Sequence, residues 1–390
     1  MRLKWISWIW LKYLALGLLI FPLSYLSFKF LSDSAWVIIL LACLSYLIFL
    51  GLRTRKVSLK ILFFNLSAVF IALFIYESYL WISNLSSTRG KSIQKEGTYV
   101  TGKYWAPHPF LGYGPRTDGV FTSKKSVNHQ VIYDVSYTIK DGLRYTPGSN
   151  EKSPNCVLFF GCSYTFGEGL ADTSTLPFYF NRFEDQKYRV INYGFHGYGP
   201  HQMLANVENR VAADLQGCGG EKIAIYSFAS FHIERTAGRA TWDQDGPRYE
   251  IINDSLMKVG NFTDWPKKLG IISKSHIFKR LYFERKSSHY DLARTVEIIK
   301  RSNELLLSQN VILYVFFWDY PRLTENDYFL NEMKKNNINI LFLHDAIPDF
   351  GKHRSTFTLN ENDVHPNGLA NEEIAKYLHL KLSENKQTIN

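Results

Sequence analysis

Cysteine is scarce in this chain: four of the 390 residues are Cys43, Cys156, Cys162 and Cys218. So few cysteines exclude the dense disulfide framework of small secreted domains. An extended strand would hold Cys156 and Cys162 too far apart to bridge, so we expect buried, unpaired side chains. The chain also lacks Cys-x-x-Cys and His-x-x-x-His pairs. We therefore predict no metal and no cofactor.

Acidic residues are scarce in the first hundred residues, which carry eleven basic and three acidic side chains. This segment therefore has a net charge of +8, against +10 for the whole chain. Because the rest of the chain is close to neutral, we expect no nucleic-acid partner.

Three long apolar stretches lie in the same segment, at residues 13–31, 35–52 and 61–82. At about 1.5 Å per residue, even the shortest reaches roughly 27 Å, close to the roughly 30 Å hydrocarbon core of a bilayer. No small-residue cleavage site follows the first stretch, as a signal peptide would require. We predict a membrane anchor of three transmembrane helices over residues 1–83.

Basic residues near these stretches predict the orientation of the anchor. They are Arg2, Lys4 and Lys12 before the first stretch, and Arg53, Arg55, Lys56 and Lys60 before the third. Such clusters favour the cytoplasmic side. In a bacterium, a protein with three spans in the inner membrane would then carry its C-terminal part in the periplasm or outside the cell.

The remainder divides by composition into a lead-in and a larger domain. The composition of residues 84–150 predicts a polar linker followed by a small β-rich segment. In residues 151–390, strands are predicted at 157–160, 188–192, 222–228, 311–317 and 339–343, and helices at 174–184, 199–216, 290–308, 324–336 and 368–384. This alternation predicts an α/β domain with a parallel sheet between helices. Residues 239–287 interrupt it, either as a lid or substrate wall or as structural padding.

Two motifs carry residue types that serve nucleophilic catalysis. Gly-Cys-Ser-Tyr-Thr at 161–165 follows an apolar strand and presents the hydroxyl of Ser163 on a tight turn. A serine needs an imidazole base that a carboxylate orients, and Asp-Val-His-Pro-Asn at 363–367 offers both. We predict Ser163 as nucleophile, His365 as base and Asp363 as the orienting carboxylate. Asn362 and Glu361 occupy the alternative positions for the third group.

In their order, these motifs resemble the blocks of the SGNH or GDSL hydrolases, over about residues 155–385. Cys162 stands where that family usually has Asp. Asn-Tyr-Gly-Phe-His-Gly-Tyr-Gly at 192–199 is similar to the second block. The resemblance implies a flavodoxin-like three-layer α/β/α domain. It also implies an oxyanion hole made by the backbone N–H groups of Ser163 and Gly197.

The third block departs from the family, because residues 227–235 lack the Asn whose side chain usually completes the oxyanion hole. His232 is the candidate replacement, since an imidazole can also donate a hydrogen bond. Arg235 either binds an anionic or hydroxyl group of the substrate or forms a salt bridge within the fold.

The resemblance implies a serine esterase. Together with the predicted anchor, it leads us to predict a membrane-anchored enzyme that acts on acyl esters of a cell-envelope glycan or lipid. One alternative is an O-acyltransferase that modifies an envelope polysaccharide and needs a membrane partner. The other is a non-catalytic protein that keeps the fold to bind a glycan or a partner. An α/β-hydrolase is excluded, because its nucleophile turn needs Gly where this chain has Thr165.

Overall fold

The computed structural model describes residues 35–93, 98–100, 104–115, 118–127, 130–263, 272, 275–282, 287–320 and 326–389. The chain divides into two compact units. One unit takes its described residues from Met1–Gln94 and Pro266–Arg285, and the other from Lys95–Trp265 and Lys286–Asn390. Of the predicted lead-in, residues 95–150 therefore belong to the same unit as the α/β domain, whereas residues 84–94 belong to the unit that contains the N-terminal helices.

The described helices are α1 (Ala35–Arg53), α2 (Val57–Ile93), α3 (Ser163–Phe166), α4 (Leu176–Phe183), α5 (Pro200–Asn209), α6 (Val211–Asp214), α7 (His232–Thr236), α8 (His276–Tyr282), α9 (His289–Leu307), α10 (Asn326–Lys335), α11 (Leu343–Ala346), α12 (Arg354–Phe357) and α13 (Gly368–Ile389).

The described strands are β1 (Thr98–Val100), β2 (Trp105–His108), β3 (Gly112–Pro115), β4 (Gly119–Val127), β5 (Gln130–Lys140), β6 (Leu143–Arg144), β7 (Cys156–Phe160), β8 (Arg189–Asn192), β9 (Lys222–Ala229), β10 (Pro247–Ile252), β11 (Ser255–Asn261), β12 (Ile312–Trp318), β13 (Asn339–Phe342), β14 (Thr358–Asn360) and β15 (Asp363–Pro366).

Helices α1 and α2 contain the second and third predicted membrane spans. Their windows Trp36–Arg53 and Val57–Ser83 are long and apolar enough to cross a bilayer. The first predicted span, at 13–31, lies outside the described residues. By length and composition, the two described helices support a membrane anchor.

The carboxylate of Glu77 is fully buried although it lies in a long apolar stretch of helix α2. It accepts hydrogen bonds from the backbone N–H groups of His276 (2.6 Å) and Ile277 (2.9 Å) and from the hydroxyl of Ser275 (2.9 Å). A carboxylate removed from water needs such donors, and the first turn of α8 supplies them. This part of the 239–287 segment is therefore tied to the N-terminal helices.

The second unit is built on the predicted parallel sheet, whose strand order is β13-β12-β9-β7-β8. Counted along the chain this is the order 2-1-3-4-5, which is that of flavodoxin-like folds. The strand bounds lie within one residue of the predicted ones, because each strand is a nearly continuous apolar run buried on both faces.

Helices cover both faces of this sheet. Leu158 and Phe160 of β7 pack in a core with α5, α9 and α10, whereas Val157 and Phe159 pack in a second core with α4 and α13. Each fully buried side chain of this kind contributes about 1.5–3 kcal/mol. The result is the three-layer α/β/α arrangement that the family resemblance implies.

The lead-in forms an antiparallel sheet, β1-β4-β5-β6, and a short hairpin of β2 and β3. Tyr104 and Tyr137 of this segment share a buried cluster with Phe166, in α3, and Phe195. Because α3 begins at Ser163, the lead-in packs directly against the turn that presents the predicted nucleophile.

The 239–287 segment also contributes a hairpin, β10 and β11, to the second unit. Its turn residues Asn253 and Asp254 both have positive φ, 49° and 59°, as a tight hairpin turn requires. Tyr249 packs with Leu204 of α5 and Ile298 of α9. The hairpin therefore packs against helices α5 and α9.

Cys156 and Cys218 form a disulfide, with a Cα–Cα distance of 5.8 Å. The prediction that Cys156 is unpaired is therefore wrong, whereas Cys162, the other cysteine of that prediction, is free, as is Cys43. The sequence argument compared Cys156 only with the nearby Cys162. In the fold, the connection after α6 returns to the start of β7 and brings Cys218 to Cys156.

Replacing both bridged cysteines by serine is expected to lower the free energy of unfolding by about 2–4 kcal/mol, since the bridge restricts the unfolded chain. Urea unfolding of the purified protein measures this difference, with Cys43→Ser as the matched control. Thiol titration of the denatured wild-type protein should find two thiols before reduction and four after it. Four thiols before reduction would contradict the bridge.

Candidate active site

The nucleophile turn joins the buried strand β7 to the short helix α3. Gly161 sits at the turn with φ of 152°. A Cβ there would lie 2.2 Å from Oγ1 of Thr165, so only glycine fits this position. Ser163 then opens α3, and 7% of its surface remains exposed.

The structure brings Ser163, His365 and Asp363 together although 202 residues separate the serine from the histidine. His365 Nε2 lies 2.9 Å from Ser163 Oγ, and His365 Nδ1 lies 2.5 Å from Asp363 Oδ1. The pairing of β14 with β15 positions this loop. With Nδ1–H donated to the carboxylate, neutral His365 presents the lone pair of Nε2 to the serine hydroxyl.

Among the three candidates for the acidic position, Asp363 is the one whose side chain contacts His365. Glu361 and Asn362 are exposed, whereas Asp363 is buried. Burial by itself would raise the pKa of Asp363, but hydrogen bonds from His365 and Lys125 hold this pKa well below its usual range. The carboxylate is therefore ionised at neutral pH.

Lys125 is a site residue that sequence reasoning missed. Its Nζ lies 2.6 Å from Asp363 Oδ2, and it comes from strand β4 of the lead-in. The neighbouring Lys124 pairs instead with Asp134. Nothing in the sequence distinguishes the two lysines, because the pleat of the strand decides which one faces the site.

Glu168, in the Gly-Glu-Gly run after the nucleophile turn, is a second missed residue. Its Oε2 lies 2.6 Å from His196 Nδ1 and 3.4 Å from His365 Nε2. His196 Nε2 in turn lies 2.5 Å from the hydroxyl of Tyr104. Burial favours a raised pKa for Glu168, but His196 and His365 lower it to about 2. A second negative charge thus lies beside the imidazole of His365.

Ser163 opens into a cavity of about 360 Å³. Its lining consists of Tyr104, Trp105, Tyr113, Ser163, Phe195, His196, Gly197, Arg235 and Trp242. Five of these nine residues are Tyr, Trp or Phe, and none is acidic. Gly197 has φ of 73°, and a Cβ there would lie 2.3 Å from Nε1 of Trp242. Glycine therefore lets the backbone approach the cavity wall closely.

The backbone N–H groups of Ser163 and Gly197 are available as hydrogen-bond donors at this cavity. Within the part of the chain that the structure describes, neither donates to another protein group. Ser163 is the first residue of α3, where the N–H of a helix has no partner inside the helix. Both groups therefore suit an oxyanion.

His232 does not reach the cavity, which corrects the expectation that it completes the oxyanion hole. Its side chain is wholly buried, and its Nδ1 lies 3.0 Å from the hydroxyl of Tyr226. Burial, together with Arg235 and His201, holds the pKa of His232 well below its ordinary value. The cavity residue of helix α7 is Arg235, three positions later.

Across the residues with described positions, no group of three or more His, Cys, Asp or Glu side chains could hold a metal ion. The groups that meet at Ser163 are a hydroxyl, an imidazole and carboxylates.

No protein-family model and no curated protein matches this sequence. Among solved structures, a lipolytic protein of the G-D-S-L family from Desulfitobacterium hafniense DCB-2 is similar, with 14% identity, a TM-score of 0.36, and coverage of 58% of this chain and 98% of that one. An SGNH hydrolase from Slackia heliotrinireducens has 13% identity, a TM-score of 0.31, and coverage of 58% and 98%. A GDSL-like lipase from Parabacteroides merdae ATCC 43184 has 12% identity, a TM-score of 0.35, and coverage of 59% and 96%.

Glu168→Gln is expected to destabilise the protein at neutral pH by about 3 kcal/mol, because the variant loses a carboxylate whose pKa is about 2 instead of 4.5. A lowered pKa stabilises the folded state above pH 4.5, and this contribution is lost as the pH falls towards 2. The difference between wild type and variant should therefore shrink by about 2 kcal/mol between pH 6 and pH 3.

Urea unfolding at both pH values measures this change. Glu304→Gln is the control, because Glu304 forms an exposed ion pair with Arg301. The difference in unfolding free energy between wild type and this control should be small at both pH values. A difference that stays constant with pH would contradict the role of the Glu168 charge.

Proposed function

We propose that this protein is a membrane-anchored serine esterase that removes acyl groups from a glycan or lipid of the cell envelope. The observation that carries the proposal is the chain of contacts from Ser163 Oγ through His365 to Asp363, at 2.9 and 2.5 Å. Ser163, at one end of this chain of contacts, lines a cavity that is large enough for a small acyl ester.

In this mechanism, Ser163 Oγ attacks the ester carbonyl carbon while His365 Nε2 takes the hydroxyl proton. The bond between the carbonyl carbon and the alcohol oxygen then breaks, and His365 returns the proton to the departing alkoxide. Water attacks the resulting acyl-serine with His365 as base. A carboxylic acid leaves and Ser163 is restored, so that ester and water give alcohol and acid.

Two features lower the energy of the charged states on this path. The backbone N–H groups of Ser163 and Gly197 would hold the oxyanion, and fixed donors of this kind are worth several kcal/mol in acyl transfer. Asp363 and Glu168 lie on either side of the His365 ring and stabilise the imidazolium that forms.

A position outside the cytoplasm is supported by the disulfide, and attachment to the membrane is supported by the two apolar helices. Disulfides persist in oxidising compartments such as the bacterial periplasm, and the second unit contains the Cys156–Cys218 bridge. Helices α1 and α2 would hold the protein in the inner membrane. An enzyme located there meets acylated envelope glycans and lipids.

A non-catalytic binding protein is disfavoured by the geometry. A binding surface has no need for a serine, a histidine and an aspartate in consecutive hydrogen-bond contact. It has equally little need for Lys125 to hold Asp363 in its charged form. Charged groups taken from water cost free energy, and catalysis is what would keep them here.

Ser163→Ala is expected to abolish labelling by a fluorophosphonate probe and to reduce hydrolysis of p-nitrophenyl esters at least about 1000-fold. The physical reason is the loss of the only group that forms the acyl intermediate. Ser174→Ala, in the same unit but outside the cavity, is the control. The assay uses the full-length protein in detergent and p-nitrophenyl esters with a series of acyl chain lengths. Chromatography of the products distinguishes hydrolysis from transfer to a sugar. Labelling that survives in Ser163→Ala would overturn the proposal.

Lys125→Met is expected to lower kcat/KM about tenfold. The variant loses a charge-assisted hydrogen bond to Asp363, and a bond of roughly 1.5 kcal/mol corresponds to about a tenfold change. The pKa of Asp363 should rise in the variant, because the ammonium group no longer favours the carboxylate. Lys124→Met is the matched control, since that lysine is adjacent but pairs with Asp134. Equal effects of the two substitutions would argue against the Lys125 contact.

A further inference from the structure

Arg235 places a positive charge in the wall of the cavity. Its Nη1 donates a hydrogen bond to the backbone oxygen of Tyr198 at 2.6 Å, and its guanidinium lies over the ring of Phe231 at 4.6 Å. Among the described residues it forms no ion pair with a carboxylate. The side chain is therefore held in place with part of its donor edge unused.

The carboxylates near the cavity are already paired with other groups. Glu168 contacts His196, Asp363 contacts Lys125 and His365, and Asp243 lies 2.7 Å from both His201 and Gln202. Because none of the lining residues is acidic, the charge of Arg235 lacks a partner inside the cavity wall. The complementary ligand group is an anion.

Two tryptophan side chains stand exposed at the same cavity. Trp105 is 56% exposed and Trp242 is 59% exposed. Trp242 lies beside Arg235, 5.8 Å from its guanidinium, and its Nε1 donates to the backbone oxygen of Gly197 at 3.4 Å. Exposed apolar rings beside a nucleophile indicate a binding surface. Their flat faces suit the C–H face of a sugar ring, whose polar hydroxyl groups stay in water.

Building on the esterase function proposed above, we propose that the substrate is an acidic glycan. Its sugar ring lies against Trp242 and Trp105, its carboxylate pairs with Arg235, and its acyl ester reaches Ser163. A planar guanidinium suits a carboxylate, because two parallel N–H donors meet its two oxygens. A lipid chain in the same cavity would bury Arg235 without a counter-charge, which is costly.

The experiment measures hydrolysis of chemically O-acetylated polygalacturonate, hyaluronate and polysialate by the full-length protein in detergent. Each polymer is compared with its carboxyl-reduced, equally acetylated form. For at least one pair, the wild-type protein should show a kcat/KM at least tenfold higher on the acidic polymer, and 1 M salt should reduce this preference. Arg235→Met should remove the preference, and Arg235→Lys should restore part of it.

Arg182→Met is the matched control, since Arg182 is an exposed arginine that pairs with Glu372 and should leave the preference unchanged. Equal rates on the acidic and reduced polymers, or hydrolysis of p-nitrophenyl acetate with no hydrolysis of any polymer, would overturn the acidic-glycan proposal while the esterase function stands. A protein that neither hydrolyses p-nitrophenyl acetate nor reacts with fluorophosphonate would overturn both.

Discussion

The imidazole of His365 is the point on which the candidate site depends, because its two nitrogens join groups from distant parts of the chain. Nε2 meets Ser163 at the end of the first strand of the sheet, and Nδ1 meets Asp363 just before the last helix. A neutral imidazole can accept at one nitrogen only if the other donates. The carboxylate therefore determines which form of His365 faces the hydroxyl.

Two carboxylates and one ammonium group surround His365. His365 itself and Lys125 keep Asp363 ionised on one side, and Glu168, with a pKa of about 2, remains ionised on the other. Lys125 comes from the lead-in sheet, outside the two motifs that first suggested the site, whereas Glu168 lies in the Gly-Glu-Gly run that directly follows the serine turn. The lead-in thus contributes to the electrostatics of the site as well as to its packing.

Helix α7 illustrates how residue type and position can give different answers. His232 has the right chemistry for an oxyanion donor, but its position on the helix places it inside the protein against Tyr226. Arg235 lines the cavity instead. Sequence analysis identifies both residues as candidates, but the packing of α7 decides which of them lines the cavity.

The sequence by itself determined the strands and helices of the α/β domain and the second and third apolar stretches, because long apolar runs must leave water wherever they occur. It also indicated Ser163, Asp363 and His365 as candidate site residues. Glycine beside the serine predicts a tight turn that presents the hydroxyl, and the short spacing places the carboxylate close to the imidazole. The tertiary structure decided the Cys156–Cys218 bridge, the Lys125 and Glu168 contacts, and the exclusion of His232 from the cavity. These features depend on the direction of single side chains between elements far apart in the chain, and no local pattern encodes that direction.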